Sequence, residues 1–199
     1  QRNKPVEITQ LDKCTWQTHC QAGRTLVLTY QVYAFDSSVR TAWLDSQRGF
    51  FNGTSLCLRV HGLEEMSHEL VLDDAGLPKA WQVATALCAN KISRRGFGSY
   101  LAANYDELVD SPVELGPFWR GEFVALGVKH QFVVSGAPPG FDGARLLVDT
   151  QTICEAEIRF WHGQHPQQAP HRHYLFMLAA VADGFGGLEH RHSTALICK

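Results

Sequence analysis

Over its first two-thirds the chain places apolar residues at short, strand-like intervals, and from Asp142 the interval becomes helical. Between Leu26 and Phe35, apolar or aromatic residues occupy both alternating sets: Leu26, Leu28, Tyr30 and Val32 against Val27, Tyr33 and Phe35. That two-sided pattern predicts a strand covered on both faces. Asn52-Gly53 is a turn signal, because both residues tolerate positive φ. Leu56, Leu58 and Val60 then alternate with Ser55, Cys57 and Arg59, which predicts a half-buried strand. Asp73 to Gly76 closes the next apolar run, and Glu122 to Val134 reads as two strands turning near Gly127. Short strands with regular turn punctuation predict a mainly β, sandwich-like domain. Leu147, Cys154, Ile158 and Trp161 then follow helical spacing, with Leu146, Ile153 and Phe160 on the adjacent stripe. Asp142 is the expected N-cap of this one long helix and Gly163 its stop.

After the helix, Gln164 to Pro170 is polar and holds two prolines, which sets a domain boundary between 1–163 and 164–199. Tyr174 to Val181 and Ser193 to Cys198 are expected strands. Asp183 to Gly187 between them is a loop or a kinked edge. The first residue is not Met and the chain ends in an apolar stretch, as a piece of a longer protein would.

Composition narrows the function classes. Of 199 residues, 45% are hydrophobic and 19% charged, an ordinary globular balance. The formal net charge of −2 and the lack of a basic run give no footprint for nucleic acid or an anionic membrane. No apolar run approaches the roughly 18–20 residues of a membrane span, and no signal-peptide core opens the chain. The six cysteines, at 14, 20, 57, 88, 154 and 198, include no C-x-x-C pair. Reduced, mostly buried thiols and a cytoplasmic protein are the expectation.

Several chemical motifs can be set aside. His68-Glu69 begins like the zincin signature H-E-x-x-H, but the second histidine position holds Leu72, and the alternation around it reads as a strand. Six of the ten histidines follow residue 160: His162, His165, His171, His173, His190 and His192. Two pairs have H-x-H spacing, which on a strand turns both rings to one face. His162, His165 and His171 lie in the polar connection and read as solvated. Nucleophile-elbow and phosphate-loop motifs are absent, and no catalytic residue or metal ligand is assigned in this chain.

One stretch does carry chemistry: Gly186-Gly187-Leu188-Glu189-His190-Arg191-His192-Ser193-Thr194. Adjacent glycines let another backbone approach closely, and a carboxylate and an imidazole follow at once. With Tyr30 to Asp36, Ser38 to Ala42, Arg48 to Ser55, Tyr105 to Glu114 and Tyr174 to Phe176, it resembles the glycyl aminopeptidase family of zinc metallopeptidases, gluzincins that carry a PDZ domain. The resemblance covers nearly the whole chain. It implies a β-rich N-terminal domain lacking its first strands, then the opening strands of a thermolysin-like α/β catalytic domain. It further implies that Gly186, Gly187 and Leu188 line a peptide substrate, that Glu189 holds its free N-terminus, and that His190 and Arg191 support this site. His192 departs from the asparagine of related zinc aminopeptidases and receives no role. Zinc, held by two His and a Glu and activating water, belongs to the full-length parent beyond Lys199. The remaining partners are the rest of the catalytic domain and the PDZ domain in cis. Asp106, Glu107 and Asp110 form an acidic cluster on an expected helical turn. Arg40 and Asp45 read as an ion pair or as solvated. The parent would remove small N-terminal residues such as Gly or Ala. The competing reading is a non-catalytic β-sandwich module that binds a peptide or carbohydrate.

Overall fold

A computed structural model describes residues 5–163 and 169–199. The chain divides into two compact units, Gln1–Val32 and Tyr33–Lys199. The first contains one antiparallel hairpin, β1 (Ile8–Gln10) with β2 (Trp16–Thr18), whose connection is capped by Asp12 Oδ1 accepting the Cys14 N–H.

The second unit is mainly β, sandwich-like, with one long helix. Its middle layer holds β3 (Ala42–Leu44), β4 (Gly49–Phe51), β6 (Gln82–Thr85) and β9 (Val113–Gly116), in the order β3-β4-β9-β6 and antiparallel throughout. On one side lies a sheet of β5 (His68–Leu72), β7 (Cys88–Ile92) and β8 (Gly98–Ala102), with β8 central. On the other lies the five-stranded sheet β10-β11-β12-β14-β13. It is formed by β10 (Trp119–Ala125), β11 (Val128–Ser135), β12 (His173–Ala180), β13 (Gly186–Glu189) and β14 (Ser193–Cys198).

Both faces of the middle layer are apolar because its strands alternate between two cores. Ala42, Phe51, Val83 and Val113 pack with Tyr100, Ala102 and Phe97 of the three-stranded side. Ala84 joins Val133, Leu175 and Met177 of the five-stranded sheet, and Phe50 joins Val39 and Ala195. Register places Glu114 directly between Phe50 and Ala84, so its carboxylate is carried into the second core. It is 1% exposed. Arg48 meets it with both prongs, Nε to Oε1 at 2.7 Å and Nη2 to Oε2 at 2.8 Å, and the Ser135 hydroxyl of β11 donates to Oε1. Burial pushes the Glu114 carboxyl up, while the Arg48 fork and the Ser135 hydroxyl pull it back.

The long helix, α2 (Gly143–His162), connects β11 to β12, which pair in parallel. Asp142 caps it by accepting the Arg145 N–H at 3.0 Å, and Gly163 ends it at φ 53°, both as the sequence predicts. The strands 119–125 and 128–135 turn through Leu126-Gly127, again as expected. Of the proposed boundary, residues 164–168 lie outside the described residues. β11 and β12, on either side of it, share one sheet.

Three expectations are corrected. Leu26 to Phe35 is not a strand: only Phe35 bridges to Trp43, stacking on it at 4.4 Å, while Val27 is 68% and Tyr33 82% exposed. A two-faced apolar run needs cover on both sides to become a strand, and most of these side chains stand in solvent. Leu56 to Val60 is not a strand either. Asn52 holds a 3₁₀ turn (Gly53–Ser55), its Oδ1 accepting the Thr54 N–H and hydroxyl, and its φ is −84°. Gly53 serves close packing there, since a Cβ would come 2.7 Å from Val109 Cα. Finally, the thiols are not mostly buried: all six are free, Cys14, Cys20, Cys88 and Cys198 are exposed, and Cys57 and Cys154 are half-buried. Cys88 opens a strand exposed along its whole length, and Cys14 and Cys20 belong to the small first unit.

Breaking a buried, forked ion pair by removing one partner strands the other charge. Glu114→Ala should therefore lower unfolding free energy by about 3–5 kcal/mol, read from urea denaturation at constant slope. Ser135→Ala should cost about 1–2 kcal/mol, because the Arg48 fork survives. Equal losses in the two variants would show that the pair is not the dominant partner of Glu114.

Candidate substrate-binding edge

β13 is the last strand of the five-stranded sheet and pairs with β14 alone, so its second edge carries no ladder among the described residues. Gly186 and Gly187 make that edge bare. A Cβ at Gly186 would meet nothing within 4 Å, so its lack of a side chain is not required by packing in this chain. Leu188 lies opposite Ala195 and packs with it against the middle layer, which fixes which face is buried. Alternation then turns Glu189, opposite Thr194, to the other face, where it is exposed. The Thr194 hydroxyl donates to the Leu188 carbonyl at 3.2 Å.

His190 goes the opposite way. Its ring is 5% exposed and its Nδ1 lies 3.0 Å from Asp110 Oδ1, while the Arg191 N–H donates to Asp110 Oδ2 at 3.0 Å. The His190 N–H donates to the Ser193 carbonyl, closing the turn between β13 and β14. Asp110 ends α1 (Tyr105–Val109), whose N-cap Asn104 accepts the Glu107 N–H and whose Glu107 carboxylate accepts the Ala103 N–H. Of the acidic cluster, then, Glu107 caps the helix and Asp110 reaches across to residues 190–191. Asp110 stood only as a member of that cluster in the sequence, because nothing local shows a contact 80 residues away. Asp45, expected with Arg40 or solvated, caps the β3–β4 turn by accepting the Gln47 and Arg48 N–H groups. Those backbone bonds, Gln47 foremost, hold its carboxyl below the usual range.

Tyr174 lies beneath the same region, its hydroxyl donating to the Ser193 carbonyl at 2.9 Å. Burial, with the negative charges of Glu189, Cys154 and Asp110 behind it, pushes the phenol up to about 12. The histidines gather further along the sheet. His171 is half-buried rather than solvated, 5.2 Å from Tyr174 and 6.4 Å from His192, and His173 stacks on His192 at 5.9 Å. The rings of Tyr174 and His192 pack against it and cover it in part. His165 lies outside the described residues. Among the described residues, no group of three or more His, Cys, Asp or Glu is placed to hold a metal ion, and no helix is long and apolar enough to cross a membrane. A cleft of about 390 Å³ opens over β10, β11 and β12, lined by His130, His173 and Tyr174 but by no residue of β13.

Residues 1–117 match the family model of the Peptidase M61 N-terminal domain. The chain belongs to that family. The M61 chain is also similar to a solved structure described as an aminopeptidase N family protein from Idiomarina loihiensis, at 40% identity and a TM-score of 0.85. That match covers 97% of this chain and 32% of the other, so the chain spans about a third of that relative's length. An M1 zinc metallopeptidase from Deinococcus radiodurans is more distant, at 14% identity and a TM-score of 0.48, over 84% of this chain and 39% of that one. Among curated proteins, none matches.

His130 supplies a pH test of this end of the sheet. It is buried, stacked 4.8 Å from Phe123, and its ring Nδ1 meets the Val128 carbonyl. Burial lowers its pKa below 6.5, the bond to Val128 opposing, and burial beside other imidazoles lowers that of His171. A depressed histidine binds fewer protons folded than unfolded. Its stabilisation is thus complete above about 6.5 and is lost as pH falls through the depressed folded value. Melting temperature should hold between pH 7.5 and 6.5 and drop below about 6.5, and His130→Phe should flatten that drop. An unchanged slope in the variant would show that His130 does not titrate in this window.

Proposed function

We propose that this chain is the N-terminal domain and substrate-docking strand of a zinc aminopeptidase, which removes small N-terminal residues such as Gly or Ala from peptides. The observation that supports this reading most directly is the bare, unpaired edge of β13, ending in an exposed carboxylate at Glu189. An extended peptide added along Gly186 to Leu188 would gain backbone hydrogen bonds that do not depend on its sequence. Glu189 at the end of that edge would take the α-ammonium through a charge-assisted bond. Selection for a free N-terminus follows, because an acylated one carries no cation at that position. Membership in the M61 family and the likeness to an aminopeptidase N family protein support the same reading.

Zinc does not fit the residues described here, since none of them form a ligand set. In this reading the metal, its activated water, the remainder of the catalytic domain and a PDZ domain belong to the rest of a cytoplasmic parent enzyme, and this chain binds and orients the peptide.

In the enzyme containing this chain, Glu189→Gln should lower kcat/KM for free N-terminal peptides by about ten- to a hundredfold, the loss of one charge-assisted bond to the α-ammonium. Acetylated peptides and bound zinc should be unaffected. Equal loss on free and acetylated peptides would sink the anchor. Gly186→Ala separates the edge from the fold: a Cβ there meets open space, so stability should change by less than about 0.5 kcal/mol. KM should nevertheless rise, since the methyl crowds the incoming backbone. An unaltered KM would place the peptide elsewhere.

A further inference from the structure

We infer that Asp110 is a positioning residue for the substrate-binding strand, setting the place of the Glu189 carboxylate through His190 and Arg191; this rests on the reading of Glu189 given above. The Asp110 carboxylate takes two bonds from adjacent residues, Nδ1 of His190 and the backbone N–H of Arg191, each at 3.0 Å. Two bonds from one rigid carboxylate fix both the ring plane and the backbone of the turn, where a single bond would leave a pivot. Facing a carboxylate, His190 Nδ1 carries the proton. His190 Nε2 is buried and has no hydrogen-bond partner among the described residues, so among them Asp110 is the ring's one polar anchor. The bond to Asp110 thus attaches the ring to the end of α1.

The geometry transmits directly to Glu189. Glu189 is the last residue of β13 and His190 the next, turned to the opposite face. The backbone between them is closed on the far side by the His190 N–H to the Ser193 carbonyl. Moving residues 190–191 away from α1 would rotate the end of the strand and swing the Glu189 carboxylate off the peptide axis. Asp110 lies within residues 1–117, the stretch matched by the M61 N-terminal domain, whereas β13 lies beyond it. The N-terminal domain would thus contribute to specificity without touching substrate. Asp110 is itself 41% exposed, so it is not explained as a core residue.

The test is a double-mutant cycle in the enzyme that contains this chain, with an alanyl peptide and its acetylated form. Asp110→Asn cannot accept both bonds, and it should raise KM for the free peptide about three- to tenfold with kcat little changed. In a Glu189→Gln background the same change should cost less than about twofold, because the group it positions has already been disabled. His190→Asn places an amide N–H near the former Nδ1 and should keep KM near wild type, whereas His190→Phe keeps the ring and should reproduce the Asp110→Asn defect. This histidine pair decides the matter even if Asp110→Asn fails to fold. The same factor in both Glu189 backgrounds, or His190→Asn as impaired as His190→Phe, overturns the positioning role alone. A Glu189→Gln variant that loses free and acetylated substrates equally overturns the reading beneath it, and the inference with it.

Discussion

The second unit is organised around a charge in a place where charge is costly. Glu114 stands in the central row of a sheet covered on both faces, between Phe50 and Ala84. An isolated carboxylate there would be protonated or would reject its cover. The Arg48 fork and the Ser135 hydroxyl make the position tolerable, one from the β3–β4 turn and one from the five-stranded sheet. Because Ser135 ends β11, the stacking of the five-stranded sheet on the middle layer is tied to the register of β9. A slip of one residue would turn Glu114 to the other face of β9, toward Trp81 and Tyr100 and away from Arg48 and Ser135.

From that stacking follows the position of the candidate site. The core holding Phe50, Val39 and Ala195 also receives Leu188 and Ile197, so the β13–β14 hairpin rests on the middle layer. Leu188 inward forces Glu189 outward and His190 inward again. The inward histidine meets α1, a short helix whose start is fixed by Asn104 and whose flank is pressed against Gly53. Each of these steps is a packing consequence of the one before. The exposed carboxylate of Glu189 thereby sits at the end of an edge strand whose following turn is tied to α1.

The family membership and the geometry bear on different parts of the chain. The M61 N-terminal match ends at residue 117, within a few residues of Glu114. The bare edge lies some seventy residues further on. Asp110 joins the two through its bonds from His190 and Arg191.

Local chemistry in the sequence determined what depends on neighbours in the chain. The capped helix from Asp142 to Gly163, the turn at Gly127, the strand at His68 that excluded a zincin helix, and the strands around 174–181 and 193–198 all follow from periodicity and capping, which are short-range. The glycine pair and Glu189 stand out through the resemblance to the glycyl aminopeptidase family, since by themselves they read as a glycine turn with surface charges. Where sequence reading failed, the missing quantity was a partner. Leu26 to Phe35 has the composition of a buried strand but not the cover, and Leu56 to Val60 alternates correctly yet follows an Asn52 cap that starts a different turn. Only tertiary structure could decide that Arg48 finds Glu114, that β13 ends its sheet among the described residues, and that Asp110 holds residues 190–191, because each depends on contacts between segments 66 to 81 residues apart or on which strand ends a sheet. Periodicity records which side of an element is apolar, and it carries no information about what that side will meet.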